Sequence, residues 1–295
     1  MNPATVPDPA SGEESIKTMK LYTDIERIDN ELRGMGINDG ANIEDPRVLS
    51  KIDSMHYEGD DAILAGIQAL GLDSASKVLD VGSGFGGPAR LIAMEAQSSV
   101  VAMEIQADIH LKAQELTNRC NLHGLVHHRQ GSILEDGNSD LGTGSYCAVV
   151  SWLVFLHISD KAALFKRCCD MLKPEGGKLF ADDFFMLREF SPEQKVSLQR
   201  DVFCSDLPTR EEYIKHLEAS GFRNVRFEDR TERWTTFCSD RLRTFVADRG
   251  RFESVHGKPS YDRLLHFYTA VLNLFQSGNL GGVRICAEKK SAGGN

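Results

Sequence analysis

The chain has 295 residues, 41% of them hydrophobic, with 34 Lys and Arg against 43 Asp and Glu, a net charge of −9. That length supports a substantial core in one or two domains, and the acidic balance argues against nucleic acid, whose phosphates require a basic face. The longest apolar runs, around Ala148 to Leu156 and Val100 to Met103, fall short of the roughly 20 residues a membrane-crossing helix needs, so no membrane partner is expected.

Residues 1–15, rich in Pro, Ala, Ser and Glu, read as a disordered tail. They lack the basic start and apolar centre of a secretory signal, and Glu13 and Glu14 argue against a transit peptide, so a cytoplasmic address is expected. Residues 16–76 read as a helical N-terminal segment, broken by the glycine-rich stretch Gly34 to Gly40, followed by the first helix of a sheet domain. Asp60 or Asp61 is placed to cap that helix, Ile63, Leu64, Ile67 and Leu70 follow its period, and Gly71 stops it.

Strands and helices then alternate. Strands are expected at 77–81, 98–103, 125–129, 146–151 and 177–183, with helices at 88–96, 107–120 and 160–172. Further helices at 192–201 and 209–220 precede a strand at 223–229, two long helices at about 236–253 and 260–277, and a last strand at 280–288. The pattern predicts an α/β fold: a doubly wound, mostly parallel seven-stranded sheet with helices on both faces. Residues 77–229 and 280–290 would form the sheet domain, and 230–279, too long for an unstructured connection, a helical lid.

Seven cysteines without a paired C-x-x-C spacing read as reduced, mostly interior thiols. His127 and His128 are neighbours on a strand, face opposite sides and cannot share a metal, so none is expected. The arginines from Arg223 to Arg243 alternate with Glu228, Asp229, Glu232 and Asp240 and read as a solvated surface.

The chemistry concentrates in residues 77–87, where a short apolar strand ends in Asp80 and runs into Gly82, Ser83, Gly84, Phe85, Gly86 and Gly87. The glycines permit positive φ and let a ligand approach the backbone. The run satisfies the dinucleotide pattern G-x-G-x-x-G literally, but a carboxylate two residues before the first glycine would repel a pyrophosphate and suits the ammonium of an amino-acid-bearing nucleoside. Glu104 closes the next strand, where a carboxylate holds ribose hydroxyls, with Ile105 beside it. Trp152 and Leu153 follow the fourth strand at the edge where open α/β sheets bind ligands.

Residues 77–184 resemble the cofactor domain of class I S-adenosylmethionine-dependent methyltransferases. Four blocks carry the resemblance: Val78 to Gly87, Gln130 to Glu135, Phe155-Leu156-His157, and Leu172 to Gly177. Within that class the chain most resembles the sarcosine/dimethylglycine N-methyltransferases and related small-molecule enzymes. The resemblance implies S-adenosylmethionine as cofactor and S-adenosylhomocysteine as product. It implies that Asp80, Gly82, Ser83, Gly84, Gly86, Glu104, Ile105, Ser132, Ile133, Trp152 and Leu153 contact the cofactor. It also implies a small zwitterionic acceptor, such as sarcosine or dimethylglycine, methylated at nitrogen. Ser132 and Ile133 stand where many relatives carry an acid for the adenine amino group, leaving Ser132 or backbone amides to read the base. His157 is the best-placed candidate base, and Tyr57 resembles the tyrosine of an entry segment that closes over the cofactor. Asp182 and Asp183, with Phe184 and Phe185 beside them, are placed to meet a cationic acceptor. Sulfur, oxygen or carbon acceptors stay open, as do a silent cofactor-binding subunit and a homodimer.

Overall fold

Val78 and Leu79 are both fully buried although neighbouring strand residues point to opposite faces, which requires cover on both sides of the sheet. The computed structural model describes residues 25–135 and 141–291; the expected tail lies outside them. Helices α1 (Ile25–Gly34), α2 (Arg47–Asp53) and α3 (Gly59–Leu70) lead into β1 (Lys77–Val81), α4 (Gly87–Ala96), β2 (Ser99–Glu104), α5 (Ala107–Arg119) and β3 (Val126–Gln130). Then come β4 (Ala148–Trp152), α6 (Lys161–Met171), β5 (Lys178–Met186), α7 (Pro192–Asp201), α8 (Arg210–Ala219) and β6 (Phe222–Asp229). Helices α9 (Thr231–Ala247), α10 (Arg249–His256) and α11 (Lys258–Gln276) precede β7 (Leu280–Lys289).

The seven strands form one sheet in the order β3-β2-β1-β4-β5-β7-β6, parallel except for β7, which runs antiparallel to both neighbours. Leu79, Val149, Leu179 and Ile285 pack on one face against Phe165, Tyr213 and Leu217 of α6 and α8. Val78, Val100, Val150 and Phe180 pack on the other against Ile63 of α3 and Ile92 of α4. The strand order reverses on either side of β1, so the crevice beyond the carboxyl ends of β1 and β4 is where such sheets bind ligands. A third apolar cluster, with Tyr57, Phe184, Trp234, Leu272 and Phe275, fixes α9 and α11 to the sheet.

Three details depart from expectation. Residues 230–279, the expected lid, form three helices rather than two, because the chain turns at Asp248 and again at Gly257, whose φ of 81° ends α10. Helix α3 begins behind Glu58, at φ 63°, without a side-chain cap; the expected cap Asp60 instead accepts a hydrogen bond from Ser50 Oγ at 3.2 Å. Leu64 is 41% exposed, off the apolar face, while Gly71 stops α3 as expected, its N–H donating to the Ile67 carbonyl. Among the described residues no helix is long and apolar enough to cross a membrane.

Candidate cofactor and acceptor site

The glycine turn lies between β1 and α4. Gly82 has φ 71°, and a Cβ there would lie 2.4 Å from both Val154 methyls. Gly86 has φ 80°, and its Cβ would lie 2.8 Å from His128 Cε1 and 2.9 Å from Arg90 Nη1. Both positions therefore demand glycine on space and on backbone conformation. Beneath the turn, buried Arg90 donates from Nη1 to the Phe85 carbonyl at 2.7 Å and pairs through Nη2 with Asp53 of α2. Thr117 Oγ1 sits 3.3 Å from Arg90 Nη1 and 2.7 Å from His128 Nε2. Burial, with the Arg90 charge, pushes the His128 pKa down to about 3. His127, on the other side of β3, is exposed.

Two carboxylates stand beside the turn. Asp80 is fully buried and neither oxygen has a hydrogen-bond partner among the described residues; burial first, and the Glu104 charge second, push its pKa up to about 8. Glu104 is also buried, but it accepts the Gly84 N–H at 3.0 Å and the Gln106 N–H at 2.8 Å. Burial still raises its pKa.

A cavity of about 130 Å³ opens above this pair. Of the residues expected at the cofactor and the reaction, Gly82, Gly84, Glu104, Ile105, Ser132, Ile133, Trp152, Leu153 and His157 line it. Asp80, Ser83 and Gly86 are not on its surface and stand behind it. Ser132 Oγ accepts the Leu134 N–H at 3.2 Å, which holds the loop after β3 against the cavity. Gln106 and Val154 also line it and were not anticipated; Met55 lines it too, as the first residue of the segment 55–59 expected to help recognise the substrate. Val154 could have been found as the neighbour of Leu153.

His157 lies on a short 3₁₀ turn, Phe155–His157, after β4. Its Nδ1 is 3.0 Å from the Phe203 carbonyl, which can only accept, so Nδ1 carries the proton and Nε2 the lone pair. Burial lowers the His157 pKa to about 4, and the nearby Lys161 charge acts in the same direction. Tyr57, expected beside the reaction, is 4% exposed and packed edge-on against Trp234 at 5.1 Å, with Phe237 at 5.3 Å and the Arg241 guanidinium 5.1 Å from its ring centre. It lines neither the cavity nor the cleft described below.

Asp182 and Asp183, expected to meet a cationic acceptor, are engaged within the protein. Asp182 accepts from Arg284 Nε at 2.8 Å and Nη2 at 2.7 Å; Asp183 accepts from Tyr213 Oη at 2.8 Å and the Leu156 N–H at 3.0 Å. Phe184 is part of the lid cluster and Phe185 of the sheet core. The arginines read as a solvated surface also differ in part: Arg230 pairs with Glu58 at 2.7 Å, and Arg241 lies over Tyr57, Phe237 and Tyr268. Their partners, Glu58 and Tyr57, are far away in sequence, so the local alternation of charge could not reveal them.

A wider cleft of about 1330 Å³ lies between α1, the segment after α2 and the lid, and it shares Met55 with the cavity. An acceptor entering through it would reach the cavity past Met55. The chemistry of the glycine turn beside the cavity fits an amino-acid-bearing nucleoside. Asp80 is a buried carboxylate with no partner beside a turn closed to side chains at Gly82 and Gly86, and an ammonium group would satisfy it. Glu104 is fixed by two backbone N–H groups at the end of the neighbouring strand.

Residues 78–176 match the family described as a methyltransferase domain. The phosphoethanolamine N-methyltransferase 1 of Zea mays is 27% identical over 217 residues, 72% of this chain and 41% of that protein. The glycine/sarcosine/dimethylglycine N-methyltransferase of Actinopolyspora halophila is 25% identical over 208 residues, 70% of this chain and 36% of that protein. The chain thus spans about two fifths of the length of these relatives. In fold it resembles phosphoethanolamine N-methyltransferase 2 of Haemonchus contortus, with a TM-score of 0.78 at 20% identity over 96% of this chain and 61% of that one. It also resembles a sarcosine dimethylglycine methyltransferase from Galdieria sulphuraria, with a TM-score of 0.68 at 20% identity over 79% of this chain and 84% of that one. Residues 78–176 thus match a methyltransferase domain, and the sheet order and fold of the chain are those of the S-adenosylmethionine-dependent methyltransferases it resembles.

Proposed function

We propose that the protein transfers a methyl group from S-adenosylmethionine to the amino or methylamino nitrogen of a small zwitterionic acceptor, of the sarcosine, dimethylglycine or phosphoethanolamine kind. The observation that carries the cofactor half is the partnerless buried carboxylate of Asp80 beside the glycine turn. The acceptor half is supported by the relatives, whose names specify phosphoethanolamine and glycine-derived amines.

When bound, the cofactor supplies a sulfonium-activated methyl that needs no further activation. Asp80 would hold the ammonium of its amino-acid end and Glu104 the ribose hydroxyls, with Ser132 and Ile133 at the base. Trp152, Leu153 and Ile133 exclude water from the cavity. His157 presents a neutral ring at the cavity wall, held by the Phe203 carbonyl, so its Nε2 can accept a hydrogen bond from the N–H of a primary or secondary amine acceptor and aim the nitrogen lone pair at the methyl; a tertiary amine, which has no N–H when neutral, would be aimed by the walls alone. Tyr57 anchors the segment carrying Met55 rather than touching the reacting atoms.

Purified protein with labelled S-adenosylmethionine should methylate at least one of glycine, sarcosine, dimethylglycine and phosphoethanolamine. Turnover confined to thioether acids would overturn the nitrogen assignment. Tight binding of NAD with none of S-adenosylhomocysteine would overturn the cofactor assignment.

A further inference from the structure

Residues 54–58, between α2 and α3, are fastened at both ends by ion pairs. At the start, Asp53 pairs with Arg90, which also holds the Phe85 carbonyl in the glycine turn. At the end, Glu58, its side chain 5% exposed, accepts from Arg230 Nη2 at 2.7 Å, pairs with Arg233, and lies 3.4 Å from Arg284 Nη2. In between, the His56 carbonyl accepts from Arg241 Nη2 at 3.0 Å. The network continues inward: Arg284 holds both oxygens of Asp182, and the Asp182 carbonyl accepts the Leu153 N–H at 2.7 Å. Met55 and Leu153 both line the cofactor cavity, so two of its walls hang from the ions gathered at Glu58.

The backbone at both places is unusual. Glu58 has φ 63° and Leu153 φ 58°, a region that non-glycine residues keep only where their surroundings hold them there. At Glu58 the surroundings are three arginines from the lid and β7. Met55, the strap's contribution to the cavity lining, stands where the cavity meets the wider cleft, so the strap's position sets the passage between them. Leu153 is built into the sheet edge by its hydrogen bond to β5, whereas the 54–58 strap belongs to neither helix that flanks it.

We propose that Glu58 is a positioning residue that latches the 54–58 strap over the cofactor cavity, so that release of this latch governs how fast the cofactor and its product leave. The proposal rests on the cofactor half of the proposed function. In the full chain, hydrogen exchange of residues 54–58 and stopped-flow dissociation of S-adenosylhomocysteine are compared for wild type, Glu58→Gln, Arg230→Gln and the double variant. Glu58→Gln is expected to speed both exchange and dissociation by roughly tenfold while association changes by less than about threefold, and the double variant should be no worse than Glu58→Gln alone. Arg233→Gln, at a residue 59% exposed, removes one partner with little risk to folding and should move both rates in the same direction by a smaller factor. Unchanged exchange overturns the latch; faster exchange with unchanged dissociation overturns its control of the cofactor. If wild type binds no S-adenosylhomocysteine, the proposed function fails on that observation, and the dissociation control falls with it, while exchange in the ligand-free protein still decides whether Glu58 holds the strap.

Discussion

Asp80 and Glu104 stand at the carboxyl ends of neighbouring parallel strands, and the described residues supply hydrogen bonds to only one of them. Glu104 receives the Gly84 and Gln106 N–H groups, while Asp80, paired in register with Ala102 two residues before Glu104, receives none. A buried carboxylate without a partner is costly, and it neutralises itself by taking a proton. Asp80 is therefore uncomfortable until a cation arrives, which makes the site selective for a ligand bearing one.

The first prediction follows from proton release. With its pKa at about 8, Asp80 is protonated in the ligand-free protein at neutral pH, and an ammonium-bearing ligand binds the ionised form. Affinity for S-adenosylhomocysteine should climb by up to about tenfold per pH unit from about pH 6 toward about pH 8 and level off above. Asp80→Asn should bind at least roughly tenfold more weakly at pH 8 and show no such slope. Calorimetry in buffers of different ionisation heat should count close to one proton released near pH 6.5 for wild type and none for the variant.

Stability without ligand should move the opposite way. The folded pKa of Asp80 lies above its unfolded value, so the folded state holds more protons between about pH 4 and about pH 8 and loses stability as pH rises through that window. Ligand-free Asp80→Asn should match wild type near pH 4 and exceed it by on the order of a few kcal/mol at pH 8, read by denaturant unfolding. A variant that is less stable at pH 8 would mean that Asp80 has a partner in solution.

The lowered histidines act with the other sign. His56 and His157 fall to about 4 and His128 to about 3, all chiefly through burial, so the unfolded chain binds more protons below the ordinary histidine range. The stability they confer is complete above about pH 6.5 and is lost as pH falls toward 4. His128→Gln, which can keep a hydrogen bond to Thr117, should flatten the acid limb of the unfolding profile and shift its midpoint downward.

For His157 the low pKa separates two roles. A ring that protonates only near 4 is too weak a base to strip an ammonium acceptor, but its Nε2 can still accept a hydrogen bond. His157→Ala should lower kcat by roughly a hundredfold at pH 7.5, and the deficit should persist at pH 9.5, where more of the amine is already neutral. Recovery at high pH would restore the base role. The wild-type profile should follow deprotonation of the acceptor, with no inflection in the ordinary histidine range.

Most of the sheet could be read from the chain because its strands are short, apolar and punctuated: β1 and α7 have the expected limits, and the other sheet elements differ at their ends by a residue or a few. That the residues after the strand ends share one cavity was equally legible, since they follow those ends directly and local order fixes where they stand. What escaped was pairing at long range. The side chain that Asp182 meets is 102 positions away at Arg284, and the Arg230 partner of Glu58 is 172 positions away. Nothing local distinguishes an aspartate at a strand end that awaits a ligand from one already bound to an arginine. Asp80 and Asp182 look alike in sequence, and only the antiparallel return of β7 beside β5 separates them.

That distinction gives the last prediction. Asp182 sits directly opposite Arg284 across β5 and β7, buried, with two hydrogen bonds to one guanidinium. Removing one member leaves the other as an uncompensated buried charge, so Asp182→Ala should cost roughly 3–5 kcal/mol of stability. Replacing both, as Asp182→Leu with Arg284→Met, should recover most of that loss, because Glu58 retains Arg230 and Arg233. Denaturant unfolding of the two single variants and the pair forms the cycle. If Asp182→Asn instead leaves stability intact and raises the KM of the acceptor alone, the carboxylate meets the acceptor after all, and the ion pair with Arg284 must open during turnover.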